Sequence, residues 1–163
     1  LGRRDGAAAR RDDALPADER IVSAKLSVYR TETLRGSGVV GVHRVTTPWA
    51  GGTGVNTCTN DGATWATTGL GTPWSTPGGD FDSTDVSSVT KTAGESPGWD
   101  SFDVTSLARG WTDGAFPNDG LMLKLDDESF SPCTTVTNCN YWAYASDSYA
   151  DPTLRPKLTI VYD

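Results

Sequence analysis

Nine residues near the start of the chain constrain its fold most strongly. Over 21–29 (IVSAKLSVY) Val22, Ala24, Leu26 and Val28 alternate with Ser23, Lys25, Ser27 and Tyr29. A period of two places the apolar set on one face of an extended strand, and that face must be buried against a second layer. Over 39–45, Val40 and Val42 lie on one face and His43 and Val45 on the other, which predicts a strand buried on both sides. Similar patterns predict strands over 101–104, 120–125, 141–146 and 156–162. Consecutive antiparallel strands with little helix between them predict an all-β, jelly-roll-like sandwich.

Composition points the same way. Ser, Thr and Gly make up 54 of 163 residues, against one Met, four Lys and four Glu, so long helices are excluded. One short helix is expected: Asp103-Val-Thr105-Ser106 supplies capping residue types, Leu107 and Trp111 stand at i, i+4, and Asp113-Gly114 ends it. A chain of this length buries roughly 70% of its unfolded surface, enough for one domain with a full core. Residues 1–14 read instead as a polar arm ahead of a domain over 15–163, because they show neither period two nor an apolar face.

The formal charge of −7 argues against a nucleic-acid partner, which needs clustered Lys and Arg. Residues 1–20 hold five basic and five acidic groups, so the body carries the whole excess. No stretch reaches the roughly 18 apolar residues of a membrane helix, and none is expected to insert. The opening Leu1-Gly2-Arg3-Arg4 has no initiator Met and no signal-peptide apolar core, so the chain reads as a processed product or an excised piece. Cys133 and Cys139 bracket Thr-Thr-Val-Thr-Asn, a spacing suited to a local disulfide in an oxidising compartment, which leaves Cys58 over.

The order of these pieces resembles the DNRLRE domain. The resemblance rests on IVSAKLSVY, VGVHRV with Trp49 after it, Gly62-Ala-Thr-Trp65, Pro77-Gly-Gly-Asp-Phe81, Phe102-Asp-Val-Thr-Ser-Leu107 with Trp111, Asn118-Asp-Gly-Leu121 and Arg155-Pro-Lys-Leu-Thr-Ile-Val-Tyr162. It implies a β-sandwich module of secreted bacterial proteins, overlapping a carbohydrate-binding module family and the repeats of polysaccharide disaggregatases. It also implies opening strands ahead of Leu15-Pro16, where this chain has Ala9-Arg-Arg-Asp-Asp13, so those strands are expected to be missing. Family-typical positions assign Trp49, Trp65 and Trp111 to the core.

Chemistry is expected to be binding rather than catalysis. His43, the single histidine, sits mid-strand as a space-filling residue, and the carboxylates lie in turn-forming loops. Asp80, Asp82 and Asp85 have spacing that could hold a structural Ca2+. Trp74, Trp99, Tyr141 and Trp142 are the candidates for stacking on a polysaccharide or cell-surface glycan, because flat sugar faces pack on aromatic rings. The alternative is a structural subunit that self-associates into filaments through the arm, with Arg3, Arg4, Arg10 and Arg11, by strand complementation.

Overall fold

The computed structural model describes residues 2–6, 20–53, 61–84, 86–127 and 142–163, with the backbone path alone for 2–6. Cys58, Cys133, Cys139, Asp85, Tyr141, Arg10 and Arg11 lie outside the described residues, as do the side chains of Arg3 and Arg4. The chain runs β1 (Gly2–Gly6), β2 (Ile21–Arg30), β3 (Gly38–Arg44), β4 (Ser87–Lys91), β5 (Gly98–Asp103), α1 (Thr105–Thr112), β6 (Leu121–Leu125), a 3-10 turn (Pro152–Leu154) and β7 (Lys157–Tyr162). A four-stranded sheet has the order β1-β7-β2-β5 and a three-stranded sheet the order β4-β3-β6, with every pairing antiparallel. The fold is an all-β sandwich with one short helix.

Alternation in β2 produces the layering. Ala24, Leu26, Val28 and Arg30 face inward beside Phe102 of β5 and Leu158 and Ile160 of β7, and meet Val40 and Val42 of β3. Strand β3 is buried on both faces because Val40 and Val42 join the core while His43, on the opposite face, is covered by Phe81 and the Asp82 carbonyl; Val45, just past the strand, is buried at its bridge to Phe81. Helix α1 closes one end with Leu107 and Ala108. Asp103 accepts from the Thr105 N–H at 2.9 Å and from its hydroxyl, so capping is done from the residue before the N-cap position Val104, whose own side chain cannot do it.

Val22 departs from the expected alternation. A β-bulge between Ile21 and Ser23 inserts one residue, which turns Ile21 inward and leaves Val22 45% exposed. The bulge frees two carbonyls, and Arg109 of α1 donates to both, Nε to Ile21 O at 2.9 Å and Nη2 to Val22 O at 3.0 Å. Three further differences stand against the sequence reading. The expected strand over 141–146 is reduced, within its described part, to the single bridge Arg30–Tyr144. Strand β4 adds a pairing that one valine among Ser, Thr and Lys did not announce. In the arm, Gly2–Gly6 pairs with β7 from Gly2–Tyr162 to Gly6–Leu158, so the sheet has an opening strand after all. Backbone groups alone can make such a ladder, which is why an apolar pattern was not needed.

Inward alternation also delivers a charge to the core. Asp100 sits opposite Val28 and is 1% exposed, and Arg30 beside it is 2% exposed. A buried carboxylate persists only when paired and hydrogen-bonded. Lys91 of β4 approaches Oδ1 at 2.6 Å, while Tyr144 donates to Oδ2 at 2.9 Å and Arg30 Nε lies 3.5 Å from the same oxygen. Arg30 spends its Nη1 on the carbonyls of Glu95 and Ser96, at 3.2 and 2.9 Å. The cluster ties β2 and β5 of one sheet to β4 of the other.

Two outcomes follow. Glu95, at the rim, also pairs with Arg30 at 3.7 Å and with Lys91 at 3.5 Å, so Asp100→Ala removes the buried one of the two carboxylates they share and is expected to cost about 3 kcal/mol, read as a lowered urea midpoint; a loss below about 1 kcal/mol would show the cluster to be incidental. Burial first, and then the hydrogen bond to the Asp100 carboxylate, push the Tyr144 phenol well above its ordinary 10.0. The folded-state value is raised, so its contribution is complete below pH 10 and is lost as pH rises further, when the unfolded tyrosine ionises and the folded one does not. Thermal melts should lose stability above pH 10 with a slope that Tyr144→Phe reduces.

Candidate functional site

The face of the four-stranded sheet turned away from the core is set by the same alternation. β2 places Lys25, Ser27 and Tyr29 there, β5 Trp99, Ser101 and Asp103, and β7 Lys157, Thr159 and Val161. Register joins them into rows: Tyr29 with Trp99, Ser27 with Ser101 and Lys157, Lys25 with Asp103 and Thr159. From Trp99 to Asp103 the strand advances about 13 Å at roughly 3.3 Å per residue.

At one end of this face the Tyr29 and Trp99 rings meet edge to face, with centroids 5.4 Å apart and planes at 72°. Lys157 Nζ lies 4.6 Å from the Trp99 ring centroid, a cation–π contact between β7 and β5 that spans β2. Trp99 remains 39% exposed. In the next row Ser27 and Ser101 share a hydrogen bond of 3.0 Å between hydroxyls. At the far end an open groove of about 500 Å³ is lined by Ser23, Lys25, Ser101, Asp103, Thr159 and Val161. The hydrogen bonds from Thr105, side chain first, hold the Asp103 carboxyl below the usual range and keep it ionised. An aromatic end, a hydroxyl middle and a groove with both charge signs thus lie along one strand direction.

The other stacking candidates go elsewhere. Trp74 is buried, 9% exposed, with its indole N–H donated to Thr64 O at 2.9 Å, so it wedges the long loop region and offers no face. Trp142 is half-buried against the core. The core assignment of Trp49 and Trp65 is corrected as well, since they are 44% and 69% exposed. Trp49 is laid on the surface by its indole N–H bond to Asp119 O at 2.7 Å, and Trp65 by contact with the backbone at Gly78. Trp111 does pack against the core, half-buried. Trp111 has a local signal, its i, i+4 spacing from Leu107, whereas Trp49, Trp65 and Trp74 all stand among Gly, Thr, Ser and Pro, so nothing local separates the buried one from the two exposed ones.

Of the proposed calcium residues, the two that are described, Asp80 and Asp82, are engaged by their own loop. Asp80 Oδ1 accepts the Thr76 N–H at 3.0 Å, and Oδ2 accepts the Ser75 N–H at 3.0 Å and the Thr47 hydroxyl at 3.1 Å. These bonds, the Ser75 N–H foremost, lower its pKa. Asp82 is lowered chiefly by the Thr84 N–H at 3.0 Å and also pairs with Arg44 at 3.4 Å. Among the described residues no three His, Cys, Asp or Glu side chains converge as a metal site. His43 is buried, with Nδ1 3.0 Å from Asp82 O and its ring 5.0 Å from Phe81.

A scan against protein-family models finds no match to this chain, and a search of curated proteins finds none either. The resemblance to the DNRLRE domain therefore rests on the order of its motifs.

Proposed function

We propose that this domain is a non-catalytic extracellular module, of the kind secreted by bacteria, whose outer sheet face holds a glycan chain. The observation that carries the reading is the exposed Trp99, braced by Tyr29 and Lys157 at the head of a row of hydroxyl and charged groups. A pyranose ring offers an apolar face to an indole and hydroxyls to the rim, and this face supplies both partners along a line as an extended polysaccharide requires. Because the residues stand on strands, their spacing is set before the ligand arrives, which lowers the ordering cost of binding. Lys25 and Lys157 supply ammonium donors on a face that would otherwise share the net negative charge of the chain.

Native electrophoresis through gels containing hydroxyethyl cellulose, galactomannan or polygalacturonate tests the reading. The protein is expected to be retarded in at least one, and Trp99→Ala to raise the apparent Kd about tenfold or more, the equivalent of about 1.4 kcal/mol. Migration unchanged by all three polysaccharides would overturn it.

One observation favours a second reading, self-association. The pairing of β1 with β7 uses a Gly-Arg-Arg-Asp-Gly segment with no apolar residue, so the strand is added through backbone hydrogen bonds. Residues 2–6 of another copy carry the same groups and can make the same ladder. Sedimentation velocity should then show concentration-dependent oligomers that vanish when residues 1–6 are deleted; a monomer at every concentration rules this reading out.

A further inference from the structure

The loop region between β3 and β4 contains a second aromatic platform of different construction. Trp65 is the most exposed large apolar side chain among the described residues. Exposure alone would leave an indole free to turn, but here both flanks of the residue are tied. The Thr64 hydroxyl accepts the N–H groups of Ala66 and Thr67 at 3.2 and 3.1 Å, and the Trp65 carbonyl accepts the Gly78 N–H at 2.7 Å. The buried Trp74 anchors the same turn from beneath through Thr64 O and Ala66 O.

Gly78 backs the ring. Its φ of +99° belongs to the region that favours glycine, and a Cβ there would stand 2.8 Å from Trp65 Cη2 and 3.0 Å from Cζ3. Only a bare backbone lets the indole lie this close, so one side of the ring is supported while most of the rest meets solvent. The turn that carries Gly78 is itself locked by Asp80, through the N–H groups of Ser75 and Thr76. Ser75, Thr76 and Gly79 of that turn also line an open cavity of about 380 Å³, together with Thr46, Thr47, Asp80 and Ser83. Gly78 lies under the ring and the next residue, Gly79, is in the cavity wall, so a supported ring adjoins a pocket lined largely by Thr and Ser, with Phe81 as its aromatic member.

We propose that Trp65 and the hydroxyl-lined cavity across the Ser75–Gly79 turn form a second carbohydrate subsite, separate from the outer sheet face and suited to a neutral sugar. Neutrality follows from the lining: Asp80 is the charged member, its lowered pKa keeps it anionic, and among the described residues no Lys or Arg lines the cavity to receive a carboxylated or sulfated sugar. Thr64 and Thr67 in the turn that carries the ring, and Ser75 and Thr76 in the turn that backs it, bring hydroxyl groups of the kind a sugar rim uses. The inference does not depend on the sheet-face reading, because no residue is shared between the two places.

The test uses the full chain and the same affinity gels, with hydroxyethyl cellulose and galactomannan as neutral probes and polygalacturonate as the acidic one. Trp65→Ala is expected to raise the apparent Kd for a neutral probe about tenfold, with Trp65→Phe restoring part of the retardation and the melting temperature unchanged, since the side chain is mostly in solvent. Retardation by a neutral probe that Trp65→Ala weakens supports the subsite, whether or not Trp99→Ala also weakens it. If Trp65→Ala migrates as the parent does, if only polygalacturonate retards the parent, or if nothing does, the subsite is overturned. The Trp99→Ala lane judges the sheet face separately.

Discussion

A carboxylate in the core is the constraint on which the two layers of this sandwich depend. Asp100 arrives at the inner face because β5 alternates, with Phe102 buried two residues on, and alternation cannot spare one position without shifting all of them. Once buried, it has to be compensated, and its partners come from three places far apart in the chain: Arg30, Lys91 and Tyr144. Apolar packing between sheets tolerates sliding, whereas a charge cluster with this many directed contacts tolerates little. The cluster therefore sets the offset of β4 against β2 and β5, and holds the segment after β6 against the end of the sandwich through Tyr144.

That registration has a consequence on the opposite side of the same strand. Residues on either side of Asp100 point outward, so the inward placement of Asp100 is also what turns Trp99 and Ser101 to solvent. The edge-to-face contact with Tyr29 and the cation–π contact with Lys157 then follow from the pairing of β2 with β5 and β7. A bulge at the start of β2 and its two Arg109 hydrogen bonds adjust the far end of the face without disturbing the pairing at Tyr29.

The loop region between β3 and β4 works by other means. It has little regular structure, and its order comes from side chains that satisfy nearby N–H groups: Asp80 over Ser75 and Thr76, Thr64 over Ala66 and Thr67, Asp82 over Thr84. Carboxylates used this way resemble cation ligands in sequence, because both roles select closely spaced Asp in a turn. Trp74 is the core of this region and Trp65 its exposed face, the reverse of the expectation that put Trp65 in the core by its family-typical position and Trp74 among the stacking candidates.

The amino-acid sequence by itself determined the layers: period-two alternation in β2, β6 and β7, the doubly buried β3, and the single helix after Asp103 are local patterns, and each is present where it was legible. Tertiary structure decided what local pattern does not encode. The strand at Gly2–Gly6 owes its pairing to the free edge of β7, and β4 to the edge of β3. Which tryptophans are buried depends on what the chain places over them, a glycine backbone for Trp65 and the whole turn system for Trp74. The strand expected over 101–104 begins at Gly98 in the fold and so takes in Asp100, whose burial is made tolerable by partners separated from it by 70 residues for Arg30 and 44 for Tyr144, and only folding brings them together.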